Sequence, residues 1–294
     1  MRVAVVAHAG KSLGGGLPEL RRVLEAQGVA DPFWREVSKS RYAPDQLRRA
    51  LDDGAELVFA WGGDGMVQRC ADVLAGSAVS LAIIPAGTAN LFATNLGIPR
   101  DISRAVEVGL RGERRLFDVG TFNGERFVVM AGAGFDAAMI RDAGDGGLKE
   151  RLGRVGYVWS GSKNLRLRPF GAEVTVDGAP WYAGQASCIL LGNVGALFGG
   201  VEVFKDARPD DGKLELGLVT ADGLLQWVRV LARTAVGSVS ESPFARTTKA
   251  RSVKVKLDRK VRYELDGGDR KKLKSFKIKT EPGALSVCVP PSRA

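Results

Sequence analysis

Cysteine and histidine are scarce in this chain. Its 294 residues hold three cysteines and one histidine. Cys70, Cys188 and Cys288 are odd in number, far apart and form no C-x-x-C pair. That speaks against a disulfide framework and a cysteine-rich zinc site. They read as small buried hydrophobes in a reducing compartment. With His8 alone and no G-x-S-x-G, a Ser-His-Asp hydrolase is not indicated. His8 lies just after the first strand and beside Gly10, where it reads as a capping or packing residue rather than a nucleotide contact. Long apolar runs are missing too. None reaches the ~18 residues of a membrane span, and the uncharged stretch that comes closest, 186–201, is broken by Asn193 and several glycines. The opening residues Met1–Val6 are too short for a secretory h-region and read as a strand. The expectation is a cytoplasmic protein that meets a membrane only peripherally, at its inner face.

What the chain does have is apolar residues, 45% of the total, and a formal charge of +10. The first figure is that of a folded protein, long enough here for two domains. The second favours an anionic partner: nucleotide, nucleic acid or an anionic membrane surface. Basic residues crowd into 246–279 and alternate there with apolar ones, as in Val253-Lys254-Val255-Lys256-Leu257. This is a strand with one wet face, not a disordered tail.

Strand and helix alternate over the first 120 residues. Strands are expected at 2–7, 32–37, 56–61 and 80–84, with helices at 17–27, 44–53, 66–74 and 102–110. The strands are apolar nearly throughout, as strands buried on both faces must be. After about Thr121 strands follow one another, at 127–131, 172–176, 186–191, 214–219, 252–257, 261–265, 276–280 and 285–289, with helices at 148–165 and 224–235. The expectation is an α/β chain: residues 1–120 form an open parallel sheet with flanking helices, and 121–294 a mostly antiparallel β-sandwich domain. Whether the final residues return to the first domain is left open.

Leu57-Val58-Phe59-Ala60-Trp61 runs into Gly62-Gly63-Asp64-Gly65 and then into a helix. A strand, a tight glycine turn and a helix N-terminus make an anion site of backbone N–H groups. A carboxylate inside such a loop has two explanations. Asp64 either holds Mg²⁺ against the phosphates or accepts hydrogen bonds that shape the loop. A second loop follows the next strand: Pro85-Ala86-Gly87-Thr88-Ala89-Asn90-Leu91-Phe92-Ala93. Both lie at strand C-termini, the edge where open α/β sheets place ligands.

The two loops, about twenty residues apart, resemble the G-G-D-G-T and P-x-G-T-x-N-x-x-A motifs of the diacylglycerol kinase catalytic family, which includes sphingosine kinases and bacterial lipid kinases. The likeness continues at Ala9-Gly10-Lys11, at Gly132-Ala133-Gly134-Phe135-Asp136, at Gly192-Asn193 and from Ala207 to Leu214. It ends at Leu265-Asp266-Gly267-Gly268, where the family reads D-G-E. The resemblance implies ATP held between the two domains on the glycine loop, with Gly10, Ser38, Gly62, Gly63, Asp64, Gly65, Gln68, Thr88 and Asn90 as nucleotide-binding residues. It implies Mg²⁺ at Asp211 and Asp64. It implies a diacylglycerol-like lipid as acceptor, within phospholipid biosynthesis.

Four departures stand out. Met66 replaces the motif threonine, Arg69 stands where Glu is common, and Val6-Ala7 replace the Asn-Pro of the first loop. Gly268 replaces the Glu that serves bacterial members as general base. Asp266, which would share a face with Gly268 in an extended segment, is the first expectation for a replacement carboxylate, and Asp269 the second. Val194 to Phe198, Trp159 and Trp181 are candidates for core or for lipid contact. The basic strands after Arg246 would rest on anionic headgroups. No nucleic-acid partner is expected, and the oligomeric state is left open between a single chain and a dimer. The rival readings are a kinase of a soluble substrate, as in NAD kinases, and an inactive nucleotide- or lipid-binding module.

Overall fold

The computed structural model describes residues 1–134, 169–197, 201–222, 226, 230 and 242–291. The helices expected at 148–165 and 224–235, the pair Phe135-Asp136, Trp159 and Phe198 therefore lie outside the described residues, apart from residues 226 and 230. The chain divides into two compact units, residues 1–119 with 281–294, and residues 120–280.

The first unit carries strands β1 (Val3–His8), β2 (Phe33–Val37), β3 (Leu57–Gly62) and β4 (Ser80–Pro85), interleaved with helices α1 (Gly16–Ala26), α2 (Ala43–Asp52), α3 (Asp64–Leu74), α4 (Leu91–Asn95) and α5 (Ile102–Arg111). The strand order is β2-β1-β3-β4, all parallel. β1, β3 and β4 are buried almost from end to end. Helices cover both faces of such a sheet, so its strands cannot alternate apolar and polar residues. The register aligns His8 with Val37, Ala7 with Trp61 and Gly62 with Pro85. All four strands thus end in one row, and four loops open at one edge. α5 starts on Asp101, whose carboxylate accepts from the Arg104 N–H at 2.9 Å, an ordinary N-cap.

The second unit is built from β5 (Glu113–Phe122, which begins in the first unit), β6 (Glu125–Phe127), β7 (Met130–Ala133), β8 (Phe170–Val176), β9 (Ala179–Ala186), β10 (Cys188–Gly192), the short pair β11 (Ala196–Leu197) and β12 (Val201–Glu202), β13 (Leu214–Val219), β14 (Ala245–Ala250), β15 (Ser252–Leu265) and β16 (Gly268–Val289, whose residues from 281 on belong to the first unit, where Val287 pairs Leu81 of β4 in parallel). The pairings among the longer strands are antiparallel. One layer reads β14-β13-β10-β7-β15, and β8 with β9 pairs the other half of β15. β15 serves both layers. Its first half, Val253–Leu257, pairs β8, and its last residues, Tyr263–Leu265, pair β7. Between them the register against β16 slips, from Lys256 to Val261 and again to Tyr263. Bulges of this kind bend a strand so that it can pass from one layer to the other. Leu191, Leu216, Val255, Ile278 and Phe170 meet between the layers. This is the expected sandwich.

Several expected strands are redrawn. The segments 252–257 and 261–265 are one strand, and so are 276–280 and 285–289. The segment 186–191 is split at Ser187. β5, β14 and all of β9 but Ala186 were not expected. The three cysteines are buried and unpaired, and burial pushes the Cys70 thiol up to about 12.

Candidate functional site

The four loops at the edge of the parallel sheet contain most of the expected nucleotide residues. Gly10 follows β1, and its N–H donates to His8 Nδ1 at 3.1 Å. His8 is thus a cap for its own loop. Trp61 Nε1 donates to the Lys11 carbonyl at 3.1 Å and pins that loop to β3. Ser38 follows β2 and is exposed. Gly62 ends β3, and Gly63 is the N-cap of α3, which no side chain caps. The first N–H groups of this eleven-residue helix face the loop with the positive end of the dipole behind them.

The second glycine loop is knitted to the first by backbone. The N–H groups of Ala86 and Gly87 donate to the Gly62 carbonyl at 3.0 and 3.1 Å. The approach is so close that a methyl group on Gly87 would lie 2.3 Å from Gly63 Cα and 3.0 Å from Gly63 N. Only glycine fits there. Asn90 is buried, with φ at +50°, and its side chain is fully used inside the loop. Its Oδ1 accepts from Gly87 N–H at 2.9 Å, and its Nδ2 donates to the carbonyls of Pro85 and Gly87.

Asp64 reaches across the same junction. Its Oδ1 accepts from Phe92 N–H at 3.1 Å at the start of α4. Burial pushes the carboxyl above the ordinary aspartate range, against the N–H groups of Phe92, Leu91 and Asn90, which favour the charged form. Of the two explanations for a carboxylate in this loop, the geometry supports the one in which Asp64 holds the loops in shape. Thr88 is exposed at the tip, whereas Gln68 is buried in α3, one turn inside. Met66 is buried where the motif has threonine.

Two groups escaped sequence reasoning. Ser40, in the 3₁₀ turn Ser40–Tyr42, brings its hydroxyl to 3.7 Å from the position of a methyl on Gly65. Arg100 Nη2 donates to the Gly87 carbonyl at 3.0 Å and sets a guanidinium on the second loop. Neither belongs to a motif. Ser40 stands two residues beyond Ser38, and Arg100 follows Pro99 after α4, so only the fold connects them to the glycines.

In the second unit the expectation for Asp266 needs correction. Asp266 and Gly267 do not continue an extended segment. They are the two-residue turn between β15 and β16, with φ of +46° and +78° and Leu265 paired to Gly268. Asp266 is 9% exposed. Its Oδ2 accepts from Val128 N–H at 2.8 Å, and its Oδ1 from Val129 and Met130 N–H at 2.9 Å each. The carboxylate clamps the segment that leads into β7. Asp269, one residue past Gly268, is exposed beside Arg262, Arg270, Lys271 and Lys272 in an open groove.

Asp211 does not fit the magnesium that the resemblance assigns to it. Its Oδ2 accepts from Lys249 Nζ at 2.8 Å, and its Oδ1 from Lys213 N–H at 3.0 Å. Among the described residues, no group of three or more His, Cys, Asp and Glu side chains is placed to hold a metal ion. Trp181 packs against the sandwich core and Val194 is buried, so both are core residues.

Two family models match the chain: the diacylglycerol kinase catalytic domain over residues 2–122, and the YegS C-terminal NAD kinase beta sandwich-like domain over residues 129–289. A probable lipid kinase YegS-like of Enterobacter sp. (strain 638) is 30% identical over 264 residues, covering 88% of this chain and 85% of the relative. The diacylglycerol kinase of Bacillus subtilis (strain 168) is 32% identical over 216 residues, 72% of this chain and 71% of that one. A solved structure described as a putative diacylglycerol kinase from Bacillus anthracis str. Sterne superposes with a TM-score of 0.80 at 22% identity, covering 98% of this chain and 97% of that one, and shows the same fold. With its paired glycine loops and its sandwich domain, the chain belongs to the diacylglycerol kinase-like family of lipid kinases.

Proposed function

We propose that this lipid kinase transfers the γ-phosphoryl group of ATP to the hydroxyl of a diacylglycerol-like lipid. The observation that carries the proposal is the backbone junction of Gly63 with Gly87, which holds the second glycine loop against the N-terminus of α3. Phosphoryl transfer asks little covalent chemistry of a protein; it asks for in-line positioning and compensation of charge. The N-terminus of α3, which no side chain caps, supplies the first anion contacts. Lys11 and Arg100, both exposed at this edge, add charge to them. Ser40 stands close enough to Gly65 to replace the hydroxyl lost at Met66. Magnesium enters as part of the co-substrate, the metal complex of ATP, whose phosphates furnish most of its ligands.

The general base is assigned to Asp269 rather than Asp266. Asp266 spends its oxygens on three backbone N–H groups and is buried, whereas Asp269 lies exposed in a groove. The lipid hydroxyl gives its proton to Asp269 as its oxygen attacks the γ-phosphorus, and ADP leaves. Asp269→Asn is expected to lower turnover by about 10²-fold with little change in the affinity for ATP. Incubation with labelled ATP and either dispersed diacylglycerol or NAD is expected to label only the lipid. A labelled NAD product with no lipid product overturns the reading, and an undiminished Asp269→Asn enzyme removes Asp269 as the base.

The β15–β16 hairpin supports membrane docking. Lys254, Lys256, Lys277 and Lys279 are exposed on it, while the residues that alternate with them are buried in the sandwich. Lys254 lies directly opposite Lys277. Like charges facing across a strand pair repel, and an anionic surface relieves that repulsion at ~1 kcal/mol per close lysine. Binding to vesicles containing phosphatidylglycerol is expected to fall as salt rises, and to weaken at least tenfold in a Lys254→Glu/Lys277→Glu double variant. Equal binding to neutral and anionic vesicles at every salt level contradicts it.

A further inference from the structure

The sandwich carries a cation site that is already filled from within. Lys249 on β14 stands opposite Glu215 on β13 in the strand register. Its ammonium lies 2.8 Å from Asp211 Oδ2, 3.1 Å from Glu215 Oε1 and 3.0 Å from the Asp206 carbonyl oxygen. Two carboxylates and a backbone carbonyl converge on one nitrogen, which has three hydrogens to give. The loop is folded for this purpose. Asp211 Oδ1 takes the Lys213 N–H in a tight turn, and Gly212 adopts φ of +74°. That aims Oδ2 at the strand. The hydrogen bond to Asp211 is the largest of the influences raising the Lys249 ammonium above its ordinary range. Burial raises the Glu215 carboxyl, and the bond to Lys249 works against that.

The same three oxygens, with water, would suit a hard divalent cation: two carboxylates and a carbonyl are ligands of the oxygen class that magnesium and calcium take. A divalent ion cannot share the position with the ammonium, since the nitrogen already lies at hydrogen-bond distance from every ligand. We infer that Lys249 replaces the metal at this site, so that the 206–215 loop is held without a divalent ion. Building on the kinase reading, the magnesium requirement of the enzyme is then that of its nucleotide alone.

The stability arm of the test does not depend on the reaction. The full chain, melted in EDTA and in 10 mM MgCl₂ or CaCl₂ without nucleotide, is expected to unfold within about 1 °C under all three conditions. Lys249→Ala removes the ammonium and leaves its space. This variant is expected to melt lower in EDTA and to gain about 3 °C or more in 10 mM Mg²⁺ or Ca²⁺, and Asp211→Asn added to it is expected to abolish the gain. If Lys249→Ala does not fold in EDTA, refolding in Ca²⁺ takes the place of the melt, and Lys249→Gln, which keeps the stem without the charge, supplies a second neutral variant. A wild-type chain whose melting temperature falls in EDTA overturns the inference. So do neutral variants that gain nothing from either ion. In the kinase assay, wild-type activity is expected to follow the concentration of the magnesium–ATP complex, with no second magnesium phase. Loss of this last result with the melts intact counts against the nucleotide reading and not against the filled site.

Discussion

Gly87→Ala is expected to abolish most of the kinase activity, lowering kcat/KM by about 100-fold or more while the protein still folds. The added methyl would sit 2.3 Å from Gly63 Cα, 2.7 Å from Asn90 Oδ1 and 3.0 Å from Gly63 N. Two of these three neighbours are backbone at the start of α3, so no side chain can swing away to make room. The loops must part by about an ångström, and a misplacement of that size costs ~10²-fold where a reaction depends on position. ATP affinity should fall together with turnover, because the same backbone makes the cradle. Steady-state kinetics and calorimetric titration with ATP check this. An alanine variant with unchanged kinetics would mean that the phosphates do not lodge at this junction.

Asp266→Ala is expected to destabilise the sandwich unit by about 3–5 kcal/mol, because it orphans three buried N–H groups at once. Asp266→Asn should cost about half as much. An amide oxygen can accept two of the three donors, but its NH₂ then faces the third. Denaturant melts of the variants measure both, and activity should fall only as the folded population does. The opposite pattern is equally informative. A variant that melts as the wild type does but has lost turnover would return the catalytic assignment to Asp266 and take it from Asp269.

The parts of this molecule that could be read from its sequence are those where one local rule acts alone. β1, β3 and β4 are nearly unbroken apolar runs, β3 and β4 stopping at Gly62 and Pro85 and β1 at His8, two residues before Gly10, so both the strand type and the loop edge follow from the pattern. The glycines of the two loops were legible for the same reason. Their partnership was not. Nothing in the order of residues says that Gly87 must touch Gly63, or that the Asp64 carboxyl turns to α4 rather than to a ligand. Sequence reasoning left that choice open, and the hydrogen bond from the Phe92 N–H supports the first of these for Asp64.

In the second unit the failures have one cause, irregular strands. The polar run Asp258-Arg259-Lys260 looks like a loop between two strands. It is the bulged middle of a single strand that bends from one layer to the other. The lysine-rich stretch after Gly268 hides the start of β16 in the same way. Asp266 was read as part of an extended segment because Asp-Gly-Gly carries no mark that distinguishes a passing strand from a two-residue turn. Lys249 was passed over as one more surface cation. Its role depends on the register that sets β14 against β13, and on a turn 38 residues earlier.

The account rests on the triphosphate lying in the cradle formed by the loops after β1, β2, β3 and β4. Hydrogen–deuterium exchange of the whole protein, with and without the magnesium complex of ATP, tests it most directly. The predicted result is slowed exchange in the peptides spanning 9–11, 38–41, 62–67 and 86–92 and little change in the other peptides of the first unit. Unchanged exchange across those four segments, with ATP bound and protection elsewhere, would contradict it.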